Sequence, residues 1–172
     1  MQRLSYLGLV TLATATLGGI PSASAAEEVV LKYRGLSRSV PVADLAILAD
    51  TGEAPESVAG LLDQAGQTPE ELQALLVRPL AADPVILDQA LNSWPGEWAL
   101  DQLGEAIHPT AGEAQRQALR AALIESATGD NQVTLLEVLE AYPTPEVVLE
   151  GDRIEAAYTQ LATFLEPLSI LF

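Results

Sequence analysis

Few side chains in this chain could do chemistry, and their spacing limits what they can do. Nucleophilic hydrolysis needs a Ser or Cys, a base and usually an orienting carboxylate. The chain has no cysteine and one histidine, His108. No Gly-x-Ser-x-Gly elbow occurs. The nearest approach, Gly35-Leu36-Ser37-Arg38-Ser39, lacks the second glycine and reads as part of a hairpin. His108 stands before Pro109 at an expected helix end, where a cation can meet free carbonyls, so it reads as structural. One His without Cys cannot supply a zinc cluster. Glu70 and Glu71 sit in an expected first helical turn, where negative charge is stabilised without any acid/base role. No phosphate-binding glycine loop and no basic aromatic patch occur. We therefore assign no catalytic residue, no metal and no cofactor.

One segment warrants a test for calcium. Asp130 to Glu137 (D-N-Q-V-T-L-L-E) resembles the second half of an EF-hand loop. With Glu137 at the last loop position, Asp130 and Thr134 fall at ligand positions and Val133 at the apolar one. The early positions would be Ser126 and Thr128, where carboxylates belong, and Asn131 replaces the loop glycine. A polar turn followed by a capping box explains the same residues. Asp130, Thr134 and Glu137 are thus only weak calcium candidates.

Trp94 and Trp98 flank Pro95-Gly96 in what reads as a turn, Asn92 to Glu97. They either plug the end of the fold, the reading we favour, or anchor a partner. The end of the chain, Leu165 to Phe172, is apolar to its last residue. It either docks on the core or forms an interface, with Phe172 a third partner anchor.

The elements that would position these residues are mostly helical. Glu28–Tyr33 and Ser37–Val42 read as two short strands joined near Arg34-Gly35-Leu36, the second at an edge because of Pro41. Helical spacing follows in Asp44–Ala49, in Ser57–Ala65 (Val58, Leu61, Leu62), and in the stretch opened by Thr68-Pro69-Glu70-Glu71 (Leu72, Leu75, Leu76). Asp83-Pro84 opens another, with Leu87, Ala90 and Leu91 inward. A helix through Trp98, Leu103 and Ile107 is expected to stop at His108-Pro109. Thr110-Ala111-Gly112-Glu113 reads as a capping box ahead of Leu119, Ala122 and Leu123. Thr134 to Glu137 reads as another, ahead of Val138 and Leu139. Glu146–Glu150 reads as a short strand that could join the hairpin. Asp152 to Glu155 is expected to cap a last helix carrying Ile154, Ala157, Tyr158, Leu161 and Leu165. The fold class expected is mainly α: a compact multi-helix bundle with a short N-terminal β-hairpin and a third short strand near 146–150.

The start of the chain reads as an export signal. Arg3 precedes an uncharged apolar run from Leu4 to Ile20, and Ala23-Ser24-Ala25 fits a signal peptidase pocket, which places the cut before Ala26. The alternative is a retained anchor, but the run is short for a spanning helix and holds three threonines and three glycines. Residues 1–25 are expected to be removed and 26–172 to form one domain, working in a periplasm, a thylakoid lumen or outside the cell. No integral membrane segment is expected to remain. Without disulfides, packing alone would hold that domain together. The formal net charge is −16, and losing Arg3 makes it one unit more negative. Such a surface repels nucleic acid and anionic headgroups and favours basic partners.

Five stretches together resemble a known family. They are Glu28–Tyr33, Ser37–Val40, Leu91–Glu97, Gln117–Leu123 and Val133–Leu139. The chain resembles the N-terminal domain of the cyanobacterial "alpha/beta hydrolase of unknown function" family over nearly all of 26–172. In longer members the resemblance implies a hydrolase domain after this segment, which would carry the nucleophile. No position here matches a catalytic one, so the chain reads as a stand-alone member without that domain.

The functional expectation is an exported, non-catalytic module that binds another protein, such as an exported hydrolase. The alternative is a hydrolase or a protein binding lipid or another small apolar ligand in a pocket of the bundle. A calcium-responsive module is a third reading. The residues assign no oligomeric state.

Overall fold

The computed structural model describes residues 25–110 and 115–168. The expected signal segment up to residue 24, most of the Thr110–Glu113 box and Phe172 lie outside them. The first two strands, β1 (Glu28–Tyr33) and β2 (Leu36–Pro41), form an antiparallel hairpin. Arg34 (φ 47°) and Gly35 (φ 82°) make its two-residue turn. Left-handed φ at both turn residues matches the twist of the strands, and glycine is at ease there. Helices α1 (Val42–Thr51), α2 (Glu56–Ala65) and α3 (Pro69–Leu76) follow, then the two-residue strand β3 (Leu80–Ala81), α4 (Pro84–Leu91) and α5 (Trp94–Leu103). Next come β4 (Ile107–Pro109), α6 (Gln115–Ala127), β5 (Gln132–Val133), α7 (Leu135–Glu140) and β6 (Glu146–Glu150). A 3-10 turn over Gly151–Arg153 leads into α8 (Ile154–Leu165).

The sheet overturns the mainly-α expectation. Among the described residues, β2-β1-β6-β4 form one four-stranded mixed sheet, and β3 pairs with β5 in a second. β6 lies parallel to β1, with Val29 beside Val147 and Leu31 beside Leu149. The helices between them are the crossover of that parallel pair, which makes the fold α/β, not a bundle carrying a hairpin. Side chains alternate across the sheet. Val29, Leu31, Val40, Ile107, Val147 and Leu149 face the helices and are buried in the main core. Lys32, His108 and Glu150 occupy the alternate positions, where Lys32 Nζ donates to Glu150 Oε1 at 2.9 Å.

The sequence misled where one short stretch had two uses. Ile107-His108-Pro109 is an edge strand antiparallel to β6, not a helix end. Three residues are too few to show a period, and a proline that stops a helix suits a strand edge equally. Trp94 to Glu97 is the first turn of α5, not a loop. Ser93 caps it by accepting from Gly96 N at 3.3 Å. Gly96 is there because α5 starts against the end of α4. A Cβ at Gly96 would sit 2.1 Å from Ala90 O and 2.5 Å from Leu91 Cα. Asp152 does not cap α8, whose N-terminus has no side-chain cap. Its carboxylate accepts from Arg34 N at 2.9 Å and ties the hairpin turn to the last helix.

Other start signals fold as read. Thr68 and Glu71 form a reciprocal capping box, and Asp83 Oδ1 accepts from Val85 N and Ile86 N. Leu87, Leu91, Leu119, Leu123, Val138, Leu139, Ile154 and Leu161 are buried at the expected spacing.

Candidate functional site

Trp94 and Trp98 lie four residues apart, one turn along a single face of α5. They do not plug the fold: Trp94 is 80% exposed and Trp98 53%. The expectation of burial failed because the residues behind them fill the interface. Gly96, Ala99, Leu100 and Leu103 form the buried side of α5. Trp98 instead forms one wall of an open groove of about 850 Å³ between α5 and α8. Pro95 and Gln102 share that wall, and Thr159, Thr163 and Phe164 of α8 form the other. No sequence signal pointed to Phe164, because α8 joins α5 only in the folded chain.

The charges beside this face are engaged. Arg116 on α6 reaches Asp101 with two bonds, Nε to Oδ1 at 2.9 Å and Nη2 to Oδ2 at 2.6 Å. Its Nη1 reaches Glu97 Oε2 at 3.3 Å. The hydrogen bond to Asp101 raises the guanidinium's already high pKa, with the charges of Asp101 and Glu97 adding to it against partial desolvation. Phe172 lies outside the described residues.

The calcium candidates Asp130, Thr134 and Glu137 are each engaged in hydrogen bonds of the turn and the helix start. Asp130 Oδ1 accepts from Gln132 N at 3.0 Å, closing the turn around Asn131, whose φ of 60° suits the asparagine at the loop-glycine position. Glu137 Oε2 accepts from Thr134 Oγ1 at 2.8 Å and Ser126 Oγ at 2.9 Å. The start of α7 is a variant of the expected box. Thr134 Oγ1 accepts from Glu137 N at 3.3 Å, but Thr134 N donates to Ser126 Oγ at 3.2 Å and not to Glu137. Ser126, a buried polar residue of α6, thus bridges the capping backbone and the carboxylate. Among the described residues no group of three or more His, Cys, Asp or Glu could hold a metal ion.

His108 is placed by β4 beside β6. Its Nδ1 lies 3.0 Å from Pro109 O and its Nε2 lies 3.7 Å from Glu150 Oε1, the oxygen that also takes Lys32. Among the described residues no Ser or Thr hydroxyl bonds to it. The contacts of His108, Lys32 and Glu150 join β4, β6 and β1. Gly35–Ser39 forms the hairpin turn and most of β2, so its serines lie within the strand and before the β2–α1 junction at Pro41.

The chain belongs to the family described as "Alpha/beta hydrolase of unknown function", which matches residues 25–150. The match runs from the start of the described chain through β6. It therefore covers the sheet and α1–α7 and stops short of α8, less far than the resemblance over 26–172 implied. No curated protein matches the chain, and no solved structure does.

Proposed function

We propose that the chain is an exported, non-catalytic module that docks onto another protein through the α5–α8 face. The partner is an exported hydrolase of the type that the resemblance implies in longer members. The single observation that carries the reading is the exposure of Trp94 and Trp98 on one helical face beside a groove. Tryptophan is the residue most concentrated at the energetic centres of interfaces, and solvating two of them without a partner is costly. The acidic balance of the chain, −16 with a pI near 4.1, favours a partner with a basic rim around an apolar patch. The family description names a hydrolase, but among the described residues His108 bonds to no Ser or Thr hydroxyl, which favours a companion role.

Export rests on the Leu4–Ile20 run and Ala23-Ser24-Ala25. The fold is compatible with a cut before Ala26. Ala26 is buried, and Glu27 N donates to Pro145 O at 2.9 Å, so the chain from Ala26 packs onto the domain. Among the described residues no helix is long and apolar enough to cross a membrane. Cyanobacterial origin belongs to this reading too, as an implication of the family resemblance.

The test is calorimetric titration of the purified chain with the isolated hydrolase domain of a longer family member. Saturable binding, weakened about tenfold or more by Trp94→Ala with Trp98→Ala, supports the proposal. No binding, or binding indifferent to both substitutions, rejects it. Mass spectrometry of the exported fraction checks the N-terminus, expected at Ala26.

A further inference from the structure

A second concave site lies elsewhere in the fold. A cleft of about 500 Å³ opens at the carboxyl ends of β1 and β6, the two parallel strands. Its walls are Leu31 and Leu149 from the sheet, Leu61 and Leu62 from α2, Leu72 from α3 and Ile154 from α8. All but Leu72 are buried residues of the main core. Gly151 keeps one side open: a Cβ there would press on Lys32 O and Tyr33 Cδ2, each at 3.1 Å. In α/β sheets ligands bind outside the carboxyl ends of the strands, and clefts of this volume and apolar character suit small molecules. Apart from Glu155, the cleft shares no residue with the α5–α8 groove.

The rim decides the ligand's chemistry. Lys32 is the only cationic residue among those lining the cleft, and its ammonium is paired with Glu150. Glu71 and Glu155 also line it. Glu71 Oε2 accepts from Thr68 N at 2.9 Å, and Glu155 Oε2 takes Arg78 at 3.0 Å. Among the described lining residues a carboxylate or phosphate head would find two glutamates and no cation outside an ion pair; Arg34, outside the lining, stacks over the Tyr33 ring with its guanidinium carbon 5.0 Å from the centroid. Neutral polar groups are present: Gln67 Nε2 donates to Tyr33 OH over a long 3.4 Å, which leaves the phenol proton and the amide oxygen uncommitted. We propose that this cleft binds an uncharged amphiphile, its hydrocarbon body against the leucine walls and a single hydroxyl or carbonyl group at Tyr33 and Gln67.

The neutral fluorophore N-phenyl-1-naphthylamine reports occupancy of the full chain, with decan-1-ol and ionised decanoate as competitors at pH 8. Decanol should displace the dye at concentrations about tenfold or more below those of decanoate. Ala65→Trp, which fills the cleft from α2, should abolish dye binding with an unchanged far-UV spectrum. Tyr33→Phe should weaken decanol several-fold and leave the dye in place, a readout that remains if Ala65→Trp does not fold. The proposal is overturned if no displaceable signal appears or if decanoate competes as well as decanol. It is also overturned if Trp98→Ala removes the signal while Ala65→Trp keeps it.

Discussion

Replacing Tyr142 by Phe should stabilise the protein. Tyr142 follows α7 and is fully buried; among the described residues it is the largest completely enclosed side chain, and its hydroxyl has no hydrogen-bond partner. An unpaired hydroxyl in an apolar interior costs about 1–3 kcal/mol by mutational measure. Removing the oxygen leaves a void of about 10 Å³, a loss of only about 0.2 kcal/mol. The net gain should be about 1–2 kcal/mol, or about 2–8 °C in Tm for a domain of this size. Urea titrations at pH 7 should move the midpoint up with an unchanged slope. A second signature lies at high pH. Burial pushes the phenol from its ordinary 10.0 up to about 12. Between those values the unfolded chain releases a proton that the native chain keeps, so stability falls as pH rises through that window. The wild type should lose about 2–3 kcal/mol more than Tyr142→Phe over that range. A variant that is destabilised at pH 7, with an alkaline profile parallel to wild type, would refute the reasoning and mean that the hydroxyl is hydrogen-bonded.

Four further outcomes are expected. Gly96→Ala should cost about 2–4 kcal/mol in thermal unfolding, because its Cβ collides with α4 backbone that cannot yield as a side chain would. Ser126→Ala should cost about 1–2 kcal/mol, since it strips a partner from Thr134 N and from Glu137 at once, and a Tm within experimental error of wild type would count against the bridge. Calcium should leave Tm unchanged, and Glu137→Ala should lower it equally with and without the ion; a calcium-dependent rise abolished by that substitution would revive the loop as a site. Partial desolvation, then Glu137, then Asp50 raise the Glu140 pKa above its usual 4.5. Its ionisation therefore opposes folding: stability is gained as pH falls through the raised value and lost as pH rises through it. Glu140→Gln should melt higher at pH 7 and show a smaller gain on acidification.

Helix starts were legible because their signals are local. Thr68 with Glu71 and Asp83 with Pro84 act within one turn, so a few residues contain both the signal and its structure. The buried stripes of α4, α6 and α8 were legible for the same reason, since a 3.6-residue period is written along the chain. The candidate sites were less so. Trp94 and Trp98 were picked out by type, but their exposure depends on how α5 seats on α4 and α8. The cleft left no trace in any single stretch, because Tyr33, Leu61, Gln67 and Ile154 share no period.

The sequence by itself determined the helix boundaries near capping residues, the hairpin turn at Arg34-Gly35, the core periodicity and the acidic surface. Each depends on neighbours a few residues apart. The tertiary structure alone decided that β6 lies parallel to β1 and that three residues around His108 complete a sheet. It also decided that Ser126 and not Glu137 holds the Thr134 backbone. Those pairings join residues far apart in the chain, and their energies come from alignment and burial that no local pattern encodes. The class changed from helical bundle to α/β on such pairings, and with it the carboxyl ends of two parallel strands became the place where a ligand site could form.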